Sequence, residues 1–178
     1  MPAQLRASFC LEKTLAKISD SLAGSKNALA FLDMLAWSEG TSTSKYTRND
    51  GYDVIVGGLN SPNTFTSYAD HPGVLVTVNT KGLKSTAAGR YQQLQRYWPH
   101  YRDLLKLPDF GPVSQDKLAL QLIKERGALA DVHAGRIEIA ISKCRNIWAS
   151  LPGAGYGQHE RKLDDLIAHY IAAGGRLA

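Results

Sequence analysis

The chain is short of cysteine, of paired metal ligands and of long apolar runs. Cys10 and Cys144 are the two cysteines among 178 residues, too few for a disulfide framework. Each sits among residues at helical spacing, as an idle buried thiol does. The five histidines, His71, His100, His133, His159 and His169, never fall four apart, and no Cys-x-x-Cys occurs, so no metal is expected. No stretch approaches the ~20 apolar residues of a membrane span. Gly153, Gly155 and Gly157 alternate without the lysine and preceding strand of a phosphate cradle. The Gly-x-Ser-x-Gly elbow of a serine hydrolase is absent.

What remains is an ordinary globular composition, 44% hydrophobic with 16 Gly and 7 Pro, and a length suited to one domain with or without an appendage. Lys and Arg outnumber Asp and Glu by 21 to 16, a net charge of +5. Such a balance suits a polyanionic partner. The basic residues are spread rather than clustered with aromatics, which argues against nucleic acid. Residues 1–11 carry one basic residue and no apolar core, so no secretory leader and a reducing cytoplasm are expected.

The pattern predicts an extension over residues 1–26 and a catalytic domain over residues 27–178. Leu11, Leu15, Ile18 and Leu22 make one helical stripe. Asn27 is expected to cap a second helix, in which Ala28, Phe31, Leu32 and Leu35 share a face. That register, extended by four, lands on Glu39, followed by Gly40, where a helix ends. A carboxyl there is partly desolvated and sits at the negative end of the helix dipole; both effects favour its protonated form. Residues 52–56 and 64–68 predict a hairpin. Residues 85–92 are expected to open a helix toward Trp98. Later helices are expected after Ser114, around residues 137–148, and over residues 163–171. The class is α+β: a mostly helical body with a small antiparallel hairpin bordering a cleft.

Three segments combine small residues with aromatic or amide side chains: residues 37–40, 85–92 and 155–158. Aromatic faces and amides suit a sugar polymer, and a protonated carboxyl at a helix end suits cleavage of a glycosidic bond.

These segments carry a resemblance. Ala30-Phe31-Leu32-Asp33-Met34-Leu35-Ala36-Trp37-Ser38-Glu39-Gly40, Gly51-Tyr52-Asp53-Val54-Ile55-Val56-Gly57-Gly58, Leu83-Lys84-Ser85-Thr86 and Gly89-Arg90-Tyr91-Gln92 are similar to phage endolysins of the lambda lysozyme type. So are Ile123-Lys124-Glu125-Arg126-Gly127-Ala128-Leu129 and the run from Asn146 through Trp148, Ser150 and Tyr156 to Gln158. The likeness covers about residues 28–175. It implies a lysozyme-like fold and a peptidoglycan lytic transglycosylase that closes the muramyl 6-hydroxyl onto its own anomeric carbon. The family's catalytic glutamate falls on Glu39. Substrate contacts fall on Ser85, Arg90, Tyr91, Gln92, Tyr156 and Gln158; Tyr91 also reads as a core residue and Arg90 as a buried tether. Residues 128–136 look like the family's mobile lid. The resemblance further implies no cofactor, peptidoglycan glycan strands as partner, no required protein partner, a monomer, and a stay in the host cytoplasm until a holin opens the way to the wall. Residues 1–26 have no clear counterpart in the family.

Two alternatives stay open. A hydrolysing muramidase would need a second carboxylate, for which Asp53 is the candidate. A cationic wall- or membrane-binding protein without turnover would lyse cells equally well with Glu39→Gln.

Overall fold

The computed structural model describes residues 15–59, 62–157 and 159–178. Among them are seven helices: α1 (Asp20–Ala23), α2 (Lys26–Ser38), α3 (Trp98–Leu105), α4 (Pro112–Glu125), α5 (Leu129–His133), α6 (Ile137–Cys144) and α7 (Leu163–Ala172). A two-stranded antiparallel sheet joins β1 (Val76–Thr77) to β2 (Lys84–Ser85), with Val76 opposite Ser85 and Thr77 opposite Lys84. The α+β expectation holds, with helix dominant.

The body is built around α2. Its run of Ala, Leu and Met favours helix, and Ala28, Ala30, Phe31, Leu32, Met34, Leu35 and Ala36 are all wholly enclosed. A helix apolar all round is a central one, and α1, α4, α5 and α7 pack against it. The stripe predicted from the sequence is therefore only one side of a buried rod. Asp33 is buried as well, and the Arg90 guanidinium meets it at 2.6 Å. A second apolar cluster, of Ala88, Trp98, Leu107, Phe110 and Leu118, lies between α3, α4 and the loops beside the sheet.

Several boundaries differ from the sequence pattern. The helix expected through Leu15, Ile18 and Leu22 shrinks to the single turn α1; Leu11 lies outside the described residues. Residues 15–18 run extended, because two buried carboxylates claim their amides. Asp33 accepts from Leu15 and Ala16 (both 2.9 Å), and Asp116 accepts from Lys17 and Ile18 (both 2.8 Å). Ala16, Ile18 and Ala23 join the main core, so the part of the extension from residue 15 onward is built into the body. Ser25 rather than Asn27 caps α2, accepting from the Ala28 amide at 3.1 Å. Asn27 instead bonds the His133 carbonyl and the Arg176 amide.

The expected hairpin over 52–56 and 64–68 reduces to one bridge, Val54 with Thr64. Ile55 pairs onward with Ala88, so this segment is held by residues far along the chain. No helix opens at residues 85–92. Ala88 and Gln93 exchange both backbone hydrogen bonds around a tight turn, at 3.0 and 2.9 Å. Gly89 has φ +79°, and a Cβ there would stand 2.3 Å from the buried Gln115 side chain. That close approach requires glycine. α4 starts at Pro112, with Gly111 rather than Ser114 at its N-cap. In residues 128–136, which resemble the family's lid, Ala128 and Val132 are wholly buried in the core, and Arg136 and Lys143 hold Asp131 at 2.8 and 2.6 Å.

Candidate active site

Glu39 is the residue that ends α2. The ending is a Schellman motif: the Gly40 amide reaches the Trp37 carbonyl at 2.9 Å, and the Thr41 amide reaches the Ala36 carbonyl at 3.1 Å. Gly40 takes φ +73°, as that motif requires. Thr41 is buried and donates its hydroxyl to the Arg90 carbonyl at 2.6 Å, locking the turn to the next segment. The Glu39 side chain is thus launched from a fixed point and is half-buried.

Its neighbours come from the far end of the chain. The Ser150 hydroxyl donates to Glu39 Oε1 at 2.5 Å. Ser38 Oγ lies 2.5 Å from Ser150 Oγ. A hydroxyl has one proton, so with Ser150 donating to the carboxylate, Ser38 must donate to Ser150. Burial raises the Glu39 pKa above its ordinary value, while the hydrogen bonds from Ser150 and the positive charge of Arg161 pull the other way. The group is therefore biased toward the acid form yet has partners ready for its anion.

A cavity of about 510 Å³ has neither Glu39 nor Ser150 in its wall. Its walls include Gln92, Tyr97, Tyr101, Trp148, Ala149 and Tyr156. Ala149, the chain neighbour of Ser150, is the lining residue that links this wall to the Glu39 partner. The aromatic faces and amides suit a carbohydrate chain.

The residues at 29–177 match the family described as Endolysin. The chain belongs to the endolysin family. It is 61% identical over 155 residues to the endolysin of Escherichia phage P2, covering 84% of this chain and 94% of that protein. It is 63% identical over 147 residues to the endolysin of Escherichia phage lambda, covering 82% and 90% respectively. Among solved structures it is similar to bacteriophage lambda lysozyme complexed with a chitohexasaccharide. That match has 58% identity and a TM-score of 0.80, covering 91% of this chain and 99% of the other. The fold is lysozyme-like.

The site residues expected from the sequence fare unequally in this endolysin. Gln92 and Tyr156 line the cavity, and Tyr156 is 56% exposed with its hydroxyl tied to the Asn146 carbonyl at 2.9 Å. Gln92 holds a left-handed φ of 49° and braces the Gly89 carbonyl. Tyr91 also borders the cavity, but its side chain is buried and its hydroxyl donates to Asp116 at 2.6 Å. Arg90 is corrected outright as a substrate contact. It is wholly enclosed, held by Asp33 and the Asp50 carbonyl, with Tyr52 and Tyr91 rings 5.1 and 6.0 Å away. It is the tether. Ser85 sits on β2, away from the cavity lining, and its hydroxyl accepts from the Ala87 amide. Gln158 lies outside the described residues.

Asp53 is corrected as a second carboxylate. It is buried, and both oxygens are used by the turn before it: Thr47 donates to one at 2.5 Å and the Arg48 amide to the other at 2.9 Å. Ser38, Ser150 and Arg161 escaped the sequence reading as functional groups. Ser38 could have been noticed as the neighbour of Glu39. Ser150 and Arg161 stand more than a hundred residues away, and no local spacing announces them. Among the described residues no group of three or more metal-ligating side chains is present, and no helix is long and apolar enough to cross a membrane.

Proposed function

We propose that this endolysin is a peptidoglycan lytic transglycosylase with Glu39 as its single general acid and base. The observation that carries the reading is the half-buried Glu39 carboxyl at a locked helix end, hydrogen-bonded to Ser150, whose chain neighbour Ala149 lines a cavity walled with aromatics. The glycan substrate draws support from the related lambda lysozyme, complexed with a chitohexasaccharide.

Protonated Glu39 gives its proton to the glycosidic oxygen between N-acetylmuramic acid and N-acetylglucosamine. The anomeric C–O bond breaks, and the departing sugar leaves with a free hydroxyl. Positive charge on the muramyl ring is then met by the newly formed carboxylate. The muramyl 6-hydroxyl oxygen bonds to the anomeric carbon and its proton passes to Glu39. A 1,6-anhydro end results, no water is consumed, and the acid is restored. One titrating carboxyl suffices, so no cofactor is called for. Hydrolysis loses its candidate second carboxylate, because Asp53 is spent on its own turn. Such an enzyme would work as a monomer on glycan strands in host lysis, held in the cytoplasm until a holin admits it to the wall.

Mass spectrometry of soluble fragments from digested peptidoglycan tests this. The expected muropeptides are lighter by one water than hydrolytic products and lack a reducing end. Glu39→Gln should lower their yield by at least about a hundredfold, the usual scale of general acid–base catalysis. Reducing muramyl ends would establish hydrolysis instead. Undiminished lysis by the variant would point to a protein that disrupts the wall or membrane without turnover.

A further inference from the structure

Arg161 reaches the catalytic helix end from the segment before α7. Its guanidinium carbon lies 4.6 Å from the centre of the Trp37 ring. Its Nε donates to the Ser38 carbonyl at 3.3 Å. Its Nη2 comes within 4.0 Å of where a Cβ on Gly40 would stand. These three contacts flank Glu39 on both sides. The Arg161 backbone amide in turn donates to the Ser150 carbonyl at 2.7 Å. The residue that hydrogen-bonds the carboxyl and the residue that grips its helix end are therefore tied directly to each other.

We infer that Arg161 is a positioning residue for Glu39: it clamps the helix end onto residue 150 and sets one fixed positive charge beside the carboxyl. This rests on the reading of Glu39 as the acid–base group. Arginine suits the place because its flat, permanently charged guanidinium can stack on an indole while donating in its own plane. It spends Nε on a backbone carbonyl rather than on the carboxylate. A direct ion pair would keep Glu39 ionised and defeat its role as an acid, whereas a nearby unpaired charge steadies the anion formed after the proton has left.

The other groups packed here do not duplicate that charge. The His169 ring from α7 stacks on Trp37, with centroids 3.6 Å apart. Burial lowers the His169 pKa, Asp165 raises it and Arg161 lowers it, leaving the imidazole biased to its neutral form. Ser150 and Ser38 are uncharged. Glu160 turns away to the amides of Gly153 and Gly155, at 2.8 and 2.9 Å.

The test is a titration of the Glu39 carboxyl by carbon-13 NMR, assigned with Glu39→Gln. Wild type is compared with Arg161→Met, which keeps the stem over Trp37, with Arg161→Gln, which keeps a donor, and with Arg161→Lys, which keeps the charge. The Glu39 midpoint should move upward in the Met and Gln variants and return toward wild type in the Lys variant. The alkaline limb of kcat/KM should move the same way. An unmoved midpoint in whichever neutral variant folds would overturn the inference, as would an equal displacement with lysine. The titration needs no turnover, so a failure of the transglycosylase reading would appear separately, in the products and in the Glu39→Gln control.

Discussion

Two buried charged residues in this protein do opposite work, and their environments say which. Glu39 is desolvated without a directly bonded cation, so its pKa rises. A carboxyl whose folded pKa lies above its unfolded value contributes stability that is fully present below the unfolded pKa. That contribution is lost as pH rises through the folded pKa. Glu39→Gln should therefore melt higher than wild type at about pH 8, and the gap should close at about pH 3, where both side chains are neutral. Thermal melts at the two pH values check the sign. Arg90, by contrast, is wholly enclosed and paired with Asp33. Arg90→Met leaves Asp33 a buried anion with only backbone donors. The expected loss is about 3–5 kcal/mol in a denaturant melt. The molecules that still fold should keep their activity, which a substrate-contacting arginine would not allow.

At the scale of elements, α2 delivers Glu39, the proposed acid, because its end is fixed by backbone rather than by sequence periodicity. Gly40 sits at φ +73° with open space around its missing Cβ apart from the Arg161 side chain. Gly40→Ala therefore tests conformation more than crowding. It should cost about 1 kcal/mol or somewhat more in stability. Activity should fall further than that, since the Schellman turn sets the direction of Glu39. Parallel denaturant melts and turnover rates separate the two effects. The small β region follows a different logic. Its strands are two residues long, and its bridges join residues 54, 64, 88 and 93. The hairpin pattern over residues 52–56 and 64–68 was visible locally, but the partner that completes it, Ala88, comes from a segment that reads as a helix start. Gly89 and Gln115 decide that conflict through a close approach invisible in the local pattern.

At the scale of the molecule, Asp116 ties distant parts together. Its carboxylate accepts from the Lys17 and Ile18 amides and from the hydroxyls of Tyr52 and Tyr91, the last two at 2.7 and 2.6 Å. The extended segment at residues 15–18 is thereby fastened beneath the turn that carries Arg90 and Tyr91. Asp116→Ala removes an acceptor from four donors at once; the Lys17 amide keeps the Tyr52 hydroxyl at 3.1 Å, and each of the others left buried and unsatisfied costs about 1–3 kcal/mol. Even with water reaching some of them, a loss of about 3 kcal/mol or more is expected, together with new proteolytic cleavage near Lys17. Denaturant melts and mapping of tryptic fragments would detect both. Cleavage unchanged from wild type would mean that the Asp33 hydrogen bonds and the packing of Ala16 and Ile18 hold the segment without Asp116.

The sequence by itself determined the α+β class, the helix that ends at Glu39 and Gly40, and α4, α6 and α7 to within a few residues. Helical spacing and glycine stops are local, so a single chain displays them. It also marked Glu39, the proposed acid, because that residue continues an apolar stripe and is therefore drawn out of water. Tertiary structure decided everything that depends on a partner far along the chain. It turned Arg90 and Asp53 from candidate contacts into buried anchors, sank Ala128 and Val132 into the core, and made residues 15–18 a strap. It also brought Ser150 and Arg161 to Glu39. Hydrogen bonds and charges act over a few ångströms of space whatever the separation in sequence, and those partners became neighbours only when the chain closed on itself.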